Sequence, residues 1–376
     1  MKFTIKREEF LKGLTIASRA ISSKNAKPVL ENFRLDLDER GLFITGTDEN
    51  ISIKTQVPYK LGEMDVIRNY KEGSVLIKAK LLVEMIRKMD SDEITLDVVD
   101  TTIATISSNS NNRSEYTLNC VKVDEYPDLD LEANGTQLTL ARADFDILVS
   151  QTTFAASLKE QRPILTALNL EASNGILTAT ATDSARMARK TLSIPLGIEF
   201  IANVPAKMMN EINHLLEGRE SVDIAFSDKK ALFTIGTTVV ATRLIAGDYP
   251  NTKNIVPKMT NYSLEVNAND FVKAIERANI LSLDRENIVD LSMSEEAVEI
   301  SAKSSQVGSA VERIDAFRYV GQNLHISFNS SFVIDAIKAL GSADVTFAFV
   351  GEMKPFIVEN ASDDSVVQIV TPVRTY

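Results

Sequence analysis

The sequence predicts an α+β fold of three similar domains, each containing two strand–helix–strands units. Three observations lead to this prediction. The 376 residues are too many for one ordinary hydrophobic core. A short strand and an amphipathic helix with the same pattern recur three times along the chain. The runs that follow each helix alternate apolar and polar residues, which indicates antiparallel β-hairpins.

The repeated strand and helix occupy residues 3–21, 138–156 and 263–281. An aromatic residue holds the same place in every copy: Phe10, Phe145 and Phe271. Each copy then contains a second strand–helix pair, at residues 74–89, 200–216 and 324–340. The unit of one strand, one helix and about three strands therefore occurs six times, and two units form a domain.

Polar stretches that contain proline separate the three copies. The first is Asp-Glu-Tyr-Pro at 124–127, and the second is Gly-Asp-Tyr-Pro at 247–250. Turn residues of this kind commonly mark the ends of folded elements. We therefore predict domains at residues 1–129, 130–257 and 258–376.

The net charge and its distribution lead to different expectations. With 41 Lys+Arg and 52 Asp+Glu, the chain carries -11, and this total alone argues against a nucleic-acid partner. The predicted helices, however, contain 12 basic and 11 acidic residues, a net charge of +1, so the remainder carries -12. The helix segments counted are 7–21, 78–90, 142–157, 205–218, 268–282 and 330–341. If the sheets form one continuous surface and the helices the other, the helix side is much less acidic than the sheet side.

Several basic residues lie on the polar faces of these helices. Lys12 and Arg19 are seven residues apart and lie opposite Phe10, and Lys80 and Arg87 repeat this spacing on the second helix. The later helices contribute Lys207, Lys273 and Lys338. For any single lysine, an ordinary solvated helix face is the alternative interpretation.

Motifs for catalysis, cofactors or metals are missing from the sequence. There is no glycine-rich phosphate loop, no nucleophile elbow and no zinc-protease motif. Cys120 is the single cysteine and is expected to pack in a strand, while His214 is expected on a helix surface. Asp48 and Asp183 each follow a strand, where a turn role is expected, and Asp363 is expected to be solvated. We predict a non-enzymatic protein without a cofactor or metal.

The amino-terminal segment and the hydropathy pattern predict a soluble protein. The opening residues MKFTIKREEF contain no apolar signal core, and no run of about 18 apolar residues occurs. A single cysteine suits a reducing compartment. We therefore expect a cytoplasmic protein without membrane contact.

Several motifs together resemble those of the bacterial sliding clamps, the beta subunits of DNA polymerase III. They are MKFTIKREEFLKGL at the start, GTDEN at 46–50, ATDSARMA at 181–188, GDYP at 247–250 and TPVRTY at 371–376. The resemblance covers essentially the whole chain. It implies the DNA clamp fold, in which two copies join head to tail into a ring with sheets outside and helices inside.

The resemblance also implies partners and site residues. The ring encircles duplex DNA without reading its sequence, and the helix cations named above face the hole, joined by Lys24 and Arg162. A groove between domains 2 and 3 binds short peptides of polymerase subunits, the clamp loader and repair proteins. The matching groove residues are Leu165, Thr182, Arg186, Met187, Pro250, Ile255, Ile369, Val370, Pro372, Val373 and Arg374.

Other interpretations remain open for parts of this assignment. Without the resemblance, Ile369, Val370 and Val373 would be ordinary strand core. The chain also has Ser184-Ala185 where many relatives have Gly-His. Two other functions compete with a clamp: a peptide-binding scaffold that never contacts DNA, and an enzyme that uses turn carboxylates such as Asp48. A clamp that tethers the replicative polymerase and recruits replication and repair proteins is the function we predict.

Overall fold

The computed structural model describes residues 1–22, 27–100, 102–108, 114–282 and 287–374. Six α-helices occur in these residues, one for each predicted unit. They are α1 (Arg7–Ser18), α2 (Ala79–Lys88), α3 (Arg142–Ser150), α4 (Ala206–Leu215), α5 (Ala268–Asn279) and α6 (Ser330–Leu340). Each helix is a few residues shorter than the segment counted from the sequence.

Each helix directly follows one strand. These leading strands are β1 (Lys2–Lys6), β8 (Gly73–Lys78), β12 (Thr136–Ala141), β16 (Phe200–Pro205), β20 (Tyr262–Asn267) and β25 (Leu324–Asn329).

Three antiparallel strands follow each helix, which confirms the predicted unit. They are β2 (Asn32–Asp38), β3 (Gly41–Thr47) and β4 (Ile51–Val57); β9 (Glu93–Val99), β10 (Ile103–Ser108) and β11 (Glu115–Asn119); β13 (Ala167–Ser173), β14 (Ile176–Thr182) and β15 (Arg186–Ser193); β17 (Ser221–Phe226), β18 (Lys230–Ile235) and β19 (Thr238–Arg243); β21 (Ile288–Met293), β22 (Val298–Ser304) and β23 (Gly308–Ile314); and β26 (Asp344–Phe349), β27 (Phe356–Asn360) and β28 (Asp363–Val370).

Four short strands connect units and were not predicted. β5 (Lys60–Leu61) and β6 (Met64–Asp65) form a small hairpin, and β7 (Ile67–Lys71) then pairs with β1. In the last third of the chain, β24 (Arg318–Val320) pairs with β20. β7 and β24 each add an edge strand to a larger sheet, whereas β5 and β6 form a separate two-stranded sheet.

Two large sheets cross the predicted domain boundaries. The first junction sheet has the order β12-β17-β18-β19-β4-β3-β2-β8, and the second junction sheet has the order β16-β13-β14-β15-β28-β27-β26-β20-β24. In the first junction sheet, strands of two predicted domains meet where β19 pairs with β4. In the second, they meet where β15 pairs with β28. Two smaller sheets, β11-β10-β9-β1-β7 and β23-β22-β21-β25, do not cross a boundary.

The chain accordingly separates into two compact units, one around each junction sheet. The first unit contains Met1–Arg142 and Glu211–Leu244, and the second contains Ala143–Asn210 and Ile245–Tyr376. Because backbone pairing continues across each boundary, contacts are as dense there as inside a repeat. The division into three domains stays a prediction from the sequence repeat.

The apolar helix faces pack on the sheets and form the core of each unit. In the first unit, Phe10, Leu14 and Ala17 of α1 are fully buried and pack with strand residues such as Phe33. In the second, Phe271 of α5 packs beside Phe347 with ring centroids 4.8 Å apart. The prediction that Lys12 lies opposite Phe10 is confirmed, because Phe10 is buried and Lys12 is exposed.

Candidate functional site

The predicted DNA-facing cations fall into two groups. Within the described chain, six side chains are exposed and make no ion pair: Lys12, Lys80, Arg87, Arg162, Lys207 and Lys273. Two others are paired, because Arg19 contacts Glu211 and Lys338 lies 3.5 Å from Glu276. Lys24 lies outside the described residues.

Three of the unpaired cations lie on two helices that pack against each other. α1 carries Lys12, and α2 carries Lys80 and Arg87 on the side away from the buried Leu82 and Ile86. Exposed, unpaired cations keep their full attraction for phosphate, whereas Arg19 must share its charge with Glu211. The exposed cations of these two helices suit contact with a DNA backbone.

A small apolar floor lies where β15 pairs with β28. Met187 stands directly opposite Ile369, and both are 2% exposed. They pack with Ala348 and Ile357, and the partly buried Val256 and Val367 lie against this cluster. Two predicted groove residues are thus in contact, and this cluster is called the groove floor below.

A tight turn between β14 and β15 holds one end of the floor. Asp183 Oδ1 accepts hydrogen bonds from the backbone N–H groups of Ala185 and Arg186, both at 2.9 Å. The Thr182 hydroxyl donates to the Arg186 carbonyl at 2.6 Å, and the Thr182 N–H donates to the Tyr249 hydroxyl at 3.0 Å. The predicted turn role of Asp183 is confirmed, and Tyr249 ties the 247–250 segment to the turn.

Arg186 and Val370 face away from the groove floor. They are paired across β15 and β28, one residue out of step with Met187 and Ile369, so their side chains lie on the opposite face. Val370 is fully buried in the core below α6. The Arg186 guanidinium is 4.5 Å from the Phe332 ring and donates to Asp335 at 2.7 Å. Both side chains thus support the floor from beneath and do not line it.

The remaining predicted groove residues differ in their exposure. Leu165 is 3% exposed in a single 3-10 turn, Pro163–Thr166, and Pro372 is also buried. Ile255 is 39% exposed and Pro250 is half-buried. The Val373 N–H donates to the Ser327 carbonyl at 2.8 Å, which fixes the chain after β28, and Arg374 is exposed.

An ion pair under the second junction sheet corrects one expectation. Asp363 is not simply solvated, because Lys190 Nζ lies 3.0 Å from its carboxylate and the Lys190 side chain is only 6% exposed. Hydrogen bonds from Ser365, and then Lys190, lower the pKa of Asp363 below its ordinary value. The sequence could not show this pair because its members are 173 residues apart.

The other chemical candidates have structural roles. Asp48 Oδ1 accepts from the N–H groups of Asn50 and Ile51, at 3.0 and 2.8 Å, so its predicted turn role is confirmed. Burial raises the pKa of the Cys120 thiol to about 11, which disfavours a reactive thiolate. His214 is exposed on α4. Within the described ranges, no group of His, Cys, Asp and Glu could hold a metal ion.

A helix that spans a bilayer needs about 20 consecutive, mostly apolar residues. None of the described helices is both long and apolar enough to span a membrane.

Several residues near the groove floor were not found from the sequence. Tyr249 lies in the GDYP motif, but the motif did not predict its role, and Val256, Thr252 and Arg189 were not predicted at all. The repeat of Tyr-Pro at 126–127 and 249–250 was a usable signal for Tyr249. No local pattern marks the others, because they meet the floor only through folding of the 247–256 segment.

Comparison with known proteins agrees with this architecture along the whole chain. Three family models match in order: the N-terminal domain of the DNA polymerase III beta subunit at residues 1–130, the central domain at 139–251, and the C-terminal domain at 253–374. The beta sliding clamp of Halalkalibacterium halodurans is 34% identical, and the match covers all of both chains.

Solved structures give the same result. The DNA polymerase sliding clamp of Bacillus subtilis matches with a TM-score of 0.95 at 31% identity, and the DNA polymerase III beta chain of Streptococcus pneumoniae with 0.94 at 31%; each match covers both chains completely. The fold and site therefore define a DNA sliding clamp, a non-catalytic class of replication protein. Within that class, the chain belongs to the DNA polymerase III beta subunit family.

Proposed function

We propose that two copies of the chain close head to tail into a ring that encircles duplex DNA and holds the replicative polymerase on its template. The observation that carries this proposal is the pair of incomplete sheets. The junction sheets have eight and nine strands, whereas the other two have five and four. Joining β11 of one copy to β23 of the other gives a continuous sheet of nine strands, similar to the complete ones.

Both proposed edges have the properties of a pairing surface. β11 pairs with β10 alone, and β23 with β22 alone, among the described strands. Tyr116 on β11 is 41% exposed and Val311 on β23 is 63% exposed. Long bare edges invite uncontrolled association unless they are covered. A head-to-tail contact that closes after two copies covers both edges and stops further growth.

In such a ring, the helix cations face the DNA. Lys12, Lys80 and Arg87 are exposed and attract phosphates at any sequence. The acidic remainder of the chain, on the sheet side, discourages DNA from binding outside. Localisation in the cytoplasm, on the nucleoid, follows from this role.

We further propose that the groove floor receives short apolar peptides of polymerase subunits, the clamp loader and repair proteins. Comparison of the two junction sheets supports this location. At the place of Met187 and Ile369, the first junction sheet has the pair Ser52 and Ala241. The Ser52 hydroxyl bonds to Thr47 at 2.8 Å. The first junction has a small apolar cluster around Ala241, but the second has the larger side chains of Met187 and Ile369 at this place, against which a peptide side chain can pack.

Reversing three helix charges tests the DNA-facing surface. We expect Lys12→Glu, Lys80→Glu and Arg87→Glu together to shorten residence on closed circular DNA at moderate salt. If all three contact phosphates, the slope of log affinity against log salt falls by about 3. Residence times are measured by single-molecule fluorescence over a series of salt concentrations.

The matched control reverses three exposed lysines outside the helices, Lys71, Lys122 and Lys229, and so makes the same change in net charge. We expect this control to keep most of its residence time. Equal losses in the two variants would mean that only total charge matters, and the helices would not be the DNA-facing surface.

A further inference from the structure

A polar cleft opens beside the groove floor on the same face of the second junction sheet. It has a volume of about 740 Å³, within the range of ligand sites. Strands β13 to β16 form its base, and residues 247–253 form one wall. Ile176 and Ile201 line it while 49% and 72% exposed, so the cleft combines an apolar rim with a polar interior.

Arg189 is the notable side chain of this cleft. Its Nη2 donates to the Thr252 carbonyl at 3.1 Å and to the Thr252 hydroxyl at 2.9 Å. Its Nε is buried and has no hydrogen-bond partner. No carboxylate of the described chain forms an ion pair with it, although most buried charges are paired. Burial lowers the pKa of Arg189, and the nearby Glu171 opposes that shift.

Arg189 forms no ion pair within the described part of the cleft, although Glu171 is close enough to act on its charge. The carboxylate of Glu171 is shared with the exposed Lys253, whose Nζ lies 3.4 Å from it. Asp248 also lines the cleft but is exposed to solvent, where its charge is screened. Among the described lining residues, Arg189 is therefore the group that a ligand carboxylate would complement.

The cleft is continuous with the groove floor. Arg189 follows Met187 by two residues on β15, so both side chains lie on one face, and Arg189 Nη2 is 4.0 Å from Met187 Sδ. An extended peptide advances about 3.3 Å per residue. A side chain one to three residues from an apolar anchor on the floor therefore reaches the guanidinium.

We propose that the cleft binds an acidic side chain of the same linear peptide whose apolar residues occupy the groove floor. Arg189 pairs with that carboxylate, and Thr252 holds the guanidinium in place. This inference rests on the proposed peptide groove. It assigns the groove a preference for peptides with Asp or Glu close to the apolar anchor.

Fluorescence anisotropy with synthetic peptides tests the preference on the full chain. Each labelled peptide carries a central Leu-Leu pair and a single Glu at one flanking position, and a matched peptide carries Gln there. All peptides are amidated, so that the tested side chain is the one carboxylate that varies. At one position or more, within three residues of the leucines, we expect Glu to bind about tenfold tighter than Gln.

Variants separate this inference from the proposed groove. Arg189→Met should remove the preference for Glu and leave the Gln peptides unchanged, while Arg189→Lys should keep part of it. Equal affinity of Glu and Gln peptides at every position overturns the inference but leaves the groove. Equal weakening of both peptides by Arg189→Met also overturns it, because the residue would then only shape the floor. If no peptide binds, the proposed groove itself is wrong.

Discussion

The double variant Ile280→Asp and Val311→Asp is expected to be a monomer, whereas the unmodified chain is expected to be a dimer. Ile280 directly follows α5, which packs on β23, and it is 67% exposed. In the proposed ring both side chains become buried at the contact between copies. Burying a large apolar side chain contributes about 1.5–3 kcal/mol, and two unpaired buried carboxylates add a further penalty. A loss of at least about a thousandfold in dimer affinity is expected from these terms.

Sedimentation velocity at micromolar concentration measures this change. Leu196→Asp is the control, because Leu196 is 83% exposed and lies in neither of the bare edge strands. This control should remain dimeric. A double variant that sediments as a dimer would show that β11 and β23 are not the edges that join.

Met187→Ala is expected to weaken peptide binding at the groove floor by at least about tenfold, since a buried large-to-small change removes roughly 2–5 kcal/mol of packing in a core. Part of that loss lowers the free energy of unfolding, and part weakens the binding of the peptide. Isothermal titration calorimetry with an apolar peptide measures the affinity, and sedimentation should show an intact dimer.

A second buried methionine provides the matched control. Met293 is also 2% exposed but lies on β21, in the core cluster of α5 and α6. Met293→Ala should lower the free energy of unfolding by a similar amount and leave the peptide affinity unchanged. If the two variants lose peptide affinity equally, the effect of Met187→Ala is general destabilisation and the floor is not the binding surface.

The repeat made most of the fold predictable from the sequence. Equivalent aromatic residues, Phe10, Phe145 and Phe271, all begin buried helix stripes, and each of the six units has the expected strand, helix and three strands. Asp48 and Asp183 were assigned to turns by residue type and position, and both accept backbone hydrogen bonds there. These features depend on local periodicity and turn chemistry, which one sequence contains.

For the candidate site, the sequence predicted which strands carry the residues but not which side chains share a face. The alternation of side chains along β28 does not show which face of the sheet Val370 takes until the register with β15 is known. In the structure, Val370 lies in the core. Arg19 was predicted to face the DNA, and the sequence did not show that the fold brings Glu211 against it from 192 residues away. Arg189 gives no local signal at all, because its environment is built by the 247–253 segment. Long-range contacts of this kind are set by the assembled sheets.

The central claim is that two copies of the chain form a ring around DNA. It is tested by comparing how well the protein is retained on circular and on linear DNA. The protein is loaded by its clamp loader onto a nicked circular plasmid, free protein is removed by gel filtration, and half of the sample is linearised with a restriction enzyme. Because a closed ring leaves DNA most readily by sliding off an end, we expect the protein to stay on the circle and to be lost from the linear form. Equal retention on both forms would contradict encirclement and would favour direct binding to the DNA surface.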